Sequence, residues 1–391
     1  MYENSSLTKF IDFQLATRQK LLTSPDVLIN QATKYRTYLA PLLMKGLADK
    51  DMIQGGTEIV DYVQLKTTSS FQWRNPTDQY NFTARNSLTQ IKVPWRFATV
   101  DSVTFEHEID LNQGGEEVVF KRIKKAKNSN MEQDFWEGVE DSLWGAPNFD
   151  TMEGTLPEGT KGQMLSLRCF VTENGAMPTA ANSGATGNTP TWTSLMNVST
   201  TTYPNWKNQF ETYDNTSQTT RRSTLIESMD KMWLDVQFMS PSTSEEYFKN
   251  TALNKLHILT SKWGYTELVA IATSKSNVLT PRASGGHGGS NDLGWANGVI
   301  TYHGIPIKYI GKLDEVDNSG GDKTGTTGTN YYKYRFFNFN HFKLIFHTKH
   351  FRRKRKLDGG ATNPNAGVVL EDTWLNLWCA NRREQGVVVA A

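Results

Sequence analysis

The chain has 391 residues, of which 37% are hydrophobic and 21% charged, with 42 Lys and Arg against 40 Asp and Glu. That composition is globular rather than disordered or fibrous. The near balance of charge argues against a general nucleic-acid coat or a membrane-surface protein. Length alone allows two or three domains.

The 11 Trp and 19 Phe suit extensive cores or extensive protein–protein contact. Cys169 and Cys379 are the two cysteines, far apart and outside any C-x-x-C spacing, so two buried reduced thiols are expected rather than a disulfide or a zinc site. The opening Met-Tyr-Glu-Asn-Ser is polar, and no apolar run approaches the roughly 20 residues of a membrane span. The expectation is a soluble protein made in the cytoplasm.

The first fifty residues read as helical. Phe10, Ile11, Leu15, Leu21 and Leu22 mark one short amphipathic segment, and a second runs from Ser24-Pro25-Asp26, a good helix start, to about Leu47. Gly55-Gly56 breaks the pattern.

From Thr57 to Leu111 the period becomes two. Ile59, Val63 and Leu65 alternate with polar neighbours, then Ile91, Val93, Trp95 and Phe97, then Val103, Phe105, His107, Ile109 and Leu111. Such alternation predicts strands with one apolar and one solvated face. Pro94 cannot donate to a ladder, which places its strand at an edge. Trp73-Arg74-Asn75-Pro76-Thr77-Asp78 is a turn-rich tip, so the whole reads as a long hairpin with a polar, aromatic end. An isolated hairpin is marginally stable, and this one needs a surface to lie on, its own or a neighbour's.

Gly114-Gly115 ends the strands. A helix of roughly 40 Å is predicted from Glu116 to about Leu143–Trp144, with the stripe Val119, Ile123, Ala126, Met131, Phe135, Val139 and Leu143. Trp144-Gly145-Ala146-Pro147 stops it. From Asn148 to Thr200 the composition turns to Gly, Thr, Ser, Asn and Pro, and inserted or mobile loops are expected. Thr219 to Phe238 carries a helical stripe of Leu225, Met229, Met232 and Val236. Lys255 to Thr260 reads as a buried strand and Tyr265 to Ser274 as a helix, together a small α/β core. Ser284 to Ser290 and Asn318 to Asn330 read as loops, with Ile300 to Ile310 a strand between them. Tyr331 to His347 reads as a strand pair, Thr373 to Ala380 as a further strand, and Val387 to Ala391 as a short paired or frayed end.

No motif carries evident chemistry. His341, His347 and His350 cluster in sequence, but a three-residue step along a strand puts His347 and His350 on opposite faces, and Lys349 and Arg352 flank them. No metal and no cofactor is expected. Gly285 to Gly289 lacks the phosphate-loop pattern. Glu106/Glu108 and Glu116/Glu117 fit a polar strand face and a helix N-terminus, and no nucleophile motif accompanies them. No enzyme is read here. Two basic runs remain: Lys121, Arg122, Lys124, Lys125 and Lys127 on the long helix, and Arg352, Arg353, Lys354, Arg355 and Lys356. Non-specific phosphate contact and ion pairs to another subunit are equal readings for the first run; subunit contact or solvent is preferred for the second.

The order of parts, an arm, a long hairpin, a long helix, an α/β core and late strands, resembles the Hong Kong 97-type fold of tailed-phage major capsid proteins. Local strings carry the same likeness: Val103-Thr104-Phe105-Glu106 to Asn112-Gln113-Gly114-Gly115-Glu116, Tyr203-Pro204-Asn205-Trp206-Lys207-Asn208-Gln209, Tyr302-His303-Gly304-Ile305-Pro306-Ile307, and Phe336-Phe337-Asn338-Phe339-Asn340. The resemblance implies an α+β chain with an N-terminal arm (1–56), an extended loop (57–112), a peripheral domain with inserted loops (113–204, spine helix 116–144), an axial domain (205–330) and C-terminal strands returning to the periphery (331–391). It implies a structural subunit assembling as hexamers and pentamers of an icosahedral phage head around double-stranded DNA, located in the virion and assembled in the host cytoplasm.

Trp73, Arg74, Asp78, Tyr80, Trp95 and Arg96 of the extended loop would meet a neighbouring subunit. Expected partners are further copies, a separate scaffolding protein (no long charged N-terminal scaffolding segment is seen), a portal protein, decoration proteins and packaged DNA, without a membrane. Lys66 and Lys92 lie in the hairpin, but nothing marks either for cross-linking. An encapsulin-type compartment shares the fold and stands as the alternative. A nucleic-acid-binding protein or nuclease using the basic runs stands behind it, and a tail or baseplate protein would need β repeats that are not visible.

Overall fold

The computed structural model describes residues 37, 39–40, 52–66, 73, 75–76, 88–105, 117–153, 156, 160–186, 191–237, 256–275, 294–296, 299–317, 332–358 and 366–391. Most of the two N-terminal helical segments, most of the hairpin tip, residues 106–116 and the loops at 284–290 and 318–330 lie outside them.

Two large sheets and one hairpin organise these residues. In chain order the first strands are β1 (Met52–Ile53), β2 (Glu58–Gln64), β3 (Leu88–Pro94) and β4 (Arg96–Phe105). The predicted long helix follows as α1 (Glu117–Trp144); at 28 residues it is about 42 Å long. The late strands are β11 (Phe342–His347), β12 (Arg353–Asp358) and β13 (Ala366–Cys379). With β1 and β4 they form a five-stranded sheet centred on β13. Both β4 and β12 pair with residues 367–372 of β13, so they occupy its opposite edges. Phe135, Val139 and Leu143 of α1 share one core with Phe342, Leu344 and Phe346 of β11 and Leu375 and Leu377 of β13.

The second sheet has seven strands. Its members are β5 (Gln209–Tyr213), β6 (Leu256–Thr260), β7 (Gly294–Ala296), β8 (Val299–Tyr302), β9 (Ile305–Tyr309), β10 (Tyr334–Asn338) and β14 (Gly386–Ala390), in the order β5-β14-β10-β6-β9-β8-β7. Its central strands are apolar on both faces, as strands covered on both sides must be. Ile258, Tyr334, Phe336 and Val388 face one cluster, while Leu259, Phe337, Val387 and Val389 belong to the core shared with α1. The first cluster is roofed by the expected helices at 218–236 and 262–275, through Leu225, Met229, Met232, Leu268 and Ile271.

Three expectations change. Residues 300–310 form two strands joined by a turn at His303 (φ 48°) and Gly304 (φ 80°), a two-residue hairpin rather than one strand. The strand pair expected at 331–347 is two strands in different sheets, β10 and β11. Of the two ends expected for Val387–Ala391, paired or frayed, the paired one is found: β14 is held between β5 and β10 near the middle of the seven-stranded sheet. The strands after residue 331 thus contribute to both sheets.

The third concerns residues 148–200. The described part holds only single-turn helices, α2 (Phe149–Met152), α3 (Leu167–Phe170) and α4 (Ala180–Ser183), yet it is deeply packed. Leu165, Phe170, Trp192, Leu195 and Val198 are all buried. Irregular backbone can be buried only if its polar groups find partners. The Asn and Thr residues that read as loop-forming serve that purpose. Thr179 and Asn182 make a reciprocal capping box at α4. Asn208 accepts from Thr172 N at 3.1 Å and donates to its carbonyl at 2.8 Å. Arg382, fully buried, donates to the carbonyls of Phe170, Trp206 and Ala176 at 2.9–3.3 Å.

Candidate assembly surface

The β2–β3 hairpin has one face on the core and one face open. Register pairs Ile59 with Val93 and Val63 with Thr89. Ile59, Ile91 and Val93 on this side are buried, with Val63 and Leu65 packed against the same core. The opposite side carries Val60, Tyr62 and Leu88, with Tyr62 60% and Leu88 55% exposed. Beyond it, Trp73 at the tip is 91% exposed. A two-stranded ladder with an apolar outer stripe is under-buried by itself.

Two devices fasten the hairpin to the rest of the chain. At its root, Gly55 and Gly56 have φ of 81° and 90°, a left-handed conformation that glycine adopts without steric cost. Trp95 Nε1 donates to Gly56 O at 3.1 Å, and Gly55 N donates to His347 Nε2 at 3.3 Å. On the second strand, Lys92 N donates to Met196 O at 3.2 Å. Met196 and Asn197 form a tight left-handed turn (φ 55° and 66°) closed by mutual bonds between Leu195 and Val198.

Of the loop residues expected at an interface, Trp73 is exposed, and Arg74, Asp78 and Tyr80 lie outside the described residues. Trp95 and Arg96 are corrected: both are buried, at about 5% exposure. Arg96 stands across from Leu375 in the β4–β13 ladder and so faces the core. The alternation that marks a strand does not say which face is inward; here Phe97, the next residue, points out.

The basic runs divide. Lys121, Arg122, Lys124 and Lys125 lie on α1, their side chains outside the described part, and Lys127 Nζ donates to Val103 O at 3.2 Å. In the second run, Arg352 pairs with Glu371 at 2.5 Å and Glu132 at 3.3 Å, Lys354 lies 3.9 Å from Glu371, and Arg355 pairs with Asp372 at 2.7 Å. These residues thus meet carboxylates of their own chain. Arg353 is exposed on β12, and Lys356 pairs in register with Val369.

The histidines also depart from expectation. After His347 the chain makes a 3-10 turn, which brings His350 round to within 5.0 Å of His347 and stacks it on Trp374 at 3.8 Å. His341 is elsewhere, bonded to Glu384 at 2.7 Å. Among the described residues no group of three or more His, Cys, Asp or Glu is arranged to hold a metal. No helix among them is long and apolar enough to cross a membrane.

One positioning residue escaped the sequence reading. Glu140 of α1 is fully buried and accepts from Leu39 N at 2.9 Å, Ala40 N at 2.8 Å and Trp144 Nε1 at 3.1 Å. It ties the N-terminal segment to the long helix. A carboxylate next to Val139 of the apolar stripe, four residues before a Trp, was the available signal.

No protein-family model matches the chain, and no curated protein matches it in sequence. Solved structures do. The chain is similar to one in the capsid asymmetric unit of cyanophage A-1(L), with 13% identity and a TM-score of 0.54, covering 96% of this chain and 98% of that one. It also matches a chain of the capsid of a native GTA particle (9% identity, TM-score 0.48, 96% and 98% covered) and one of Gordonia phage Cozz (13%, 0.44, 96% and 93%). At such identities the likeness is one of fold. The first match carries it from end to end, in agreement with the expected α+β, Hong Kong 97-like architecture.

Proposed function

We propose that this chain is the major capsid protein of a tailed bacteriophage, assembling as hexamers and pentamers of an icosahedral head that encloses double-stranded DNA. The observation that carries this reading is the fold shared over nearly the whole length with a chain of a cyanophage capsid. The open apolar stripe Val60–Tyr62–Leu88 supports it, because it is burial left for another surface to complete.

In this reading the five-stranded sheet with α1 is the peripheral part. The seven-stranded sheet is the axial part around capsomer centres, and the hairpin reaches a neighbouring subunit. The role is structural, without catalysis. A scaffolding protein, a portal and decoration proteins are the further partners, and the α1 basic run is the candidate for non-specific contact with packaged DNA. The protein would be assembled in the host cytoplasm and reside in the virion.

The test is negative-stain electron microscopy with sedimentation, on the chain expressed alone and with its neighbouring genes. Closed shells, or rings of five and six, are expected. A homogeneous monomer or dimer in both settings overturns the proposal.

A further inference from the structure

Glu153, which follows α2, is a half-buried residue whose carboxyl Oε2 is shielded from solvent, and it has an unusual neighbour. Its Oε1 accepts from Met196 N at 2.7 Å, and the Asn197 N–H is directed at the same carboxyl. Those two N–H groups belong to the left-handed turn, and neither residue is a glycine. Non-glycine residues persist there only where the surroundings enforce that conformation. The carboxyl is one such enforcement, and the fully buried Met196 side chain is another. The turn in turn holds β3: Met196 O receives Lys92 N, and Asn197 Nδ2 reaches Gln90 O at 3.5 Å. On the far side, the hairpin springs from the Gly55–Gly56 pair. A carboxyl, a turn and a strand are thus connected in series, opposite a two-glycine pivot.

We propose that Glu153 is a protonation-controlled latch for the β2–β3 hairpin, its buried carboxyl holding the Met196–Asn197 turn from which the second strand hangs. The inference stands on this geometry and does not depend on the capsid reading.

Among the described residues two titratable side chains face Glu153. Arg96 reaches it from β4, and the thiol of Cys169 from α3. Burial raises the carboxyl from 4.5 to about 7, against the lowering effect of the two N–H groups and Arg96. The sign follows from linkage. Below 4.5 the carboxyl is neutral whether the latch is closed or open. Between 4.5 and 7 the open form ionises while the closed form stays protonated, so opening is favoured by up to about tenfold per pH unit. Above 7 both forms are ionised and the difference stays constant. The latch is therefore tightest in acid and loosens as pH rises towards neutrality.

Hydrogen exchange on the full chain in its unassembled form reads this directly. After correction for intrinsic exchange, protection of the Lys92 amide should fall from pH 5 to pH 7 and level off by pH 8. The Val388 amide of β14 in the same molecules serves as the internal control. In Glu153→Gln, a neutral side chain of the same shape that still accepts a hydrogen bond, Lys92 protection should be flat across the range. A flat Lys92 profile in the unmodified protein, or an identical slope in the Gln variant, overturns the proposal. Should the variant not fold, the contrast between Lys92 and Val388 in the unmodified chain decides alone: parallel profiles sink the latch.

Discussion

Asn376 in β13 donates from Nδ2 to the carbonyl of Pro94 at 2.6 Å, across 282 residues of sequence. Its Oδ1 accepts from Leu165 N and Leu377 N, both at 2.8 Å. One buried amide therefore joins the end of the hairpin, the irregular segment and the five-stranded sheet. Replacing it strands three backbone groups, and each unsatisfied buried group costs about 1–3 kcal/mol. Asn376→Ala should lower stability by about 2–4 kcal/mol in urea unfolding. Asn376→Leu, which keeps the volume, should recover little of that. A near-neutral Leu variant would place the amide's role in packing instead.

Arg335 of β10 makes a two-pronged pair with Asp317, at 2.5 and 3.0 Å, with both side chains buried. Removing one partner of such a pair leaves an uncompensated charge, at a cost of about 3–5 kcal/mol, whereas replacing both is often close to neutral. Arg335→Met alone should be strongly destabilising. The double change Arg335→Met with Asp317→Leu should be clearly more stable than the single variant. Additive losses in thermal unfolding would contradict this.

The outer stripe of the hairpin separates folding from assembly. Tyr62→Ser with Val60→Thr touches only exposed side chains, so stability should stay within about 0.5 kcal/mol, while the yield of shells seen by electron microscopy should fall. Deleting residues 73–80 at the tip should likewise leave a folded subunit that assembles poorly. Wild-type assembly in both variants would remove the hairpin's proposed role between subunits.

Burial pushes the thiols of Cys169 and Cys379 up to about 12. The reactive species is the thiolate. At pH 8 the folded chain should therefore resist a maleimide over hours, and both cysteines should label once denaturant is added. Rapid labelling of the folded chain would show that the core opens at these positions.

His257 is held down to about 4, first by burial and then by the nearby positive charge of Lys308. The unfolded chain takes up a proton as pH falls below the ordinary 6.5, while the folded chain resists it until about 4. Stability is accordingly lost across that interval as the solution is acidified. His257→Phe, beside Phe339 at 5.2 Å, should flatten this part of the stability curve. Parallel acid limbs in the two proteins would contradict the assignment.

Local periodicity was enough to read much of this molecule from its residues. The alternation at 58–64, 88–94 and 96–105 and the long apolar stripe of α1 are short-range patterns, and a strand or helix displays its own period wherever it docks. The stop at Trp144–Pro147 and the stripe from Leu225 to Val236 are equally local. What periodicity cannot carry is which surface an element meets. Only the tertiary structure sends β10 and β11, three residues apart, into different sheets, and seats Val387–Val389 between β5 and β10. It alone turns Trp95 and Arg96 inward and gives Arg352 and Arg355 carboxylates from their own chain. The polar, glycine-rich stretch after α1 reads as loop because it has no period, yet much of its described part is core. Its backbone groups are satisfied by Arg382, Asn376 and Glu153, side chains distant in sequence that only the folded chain brings to them.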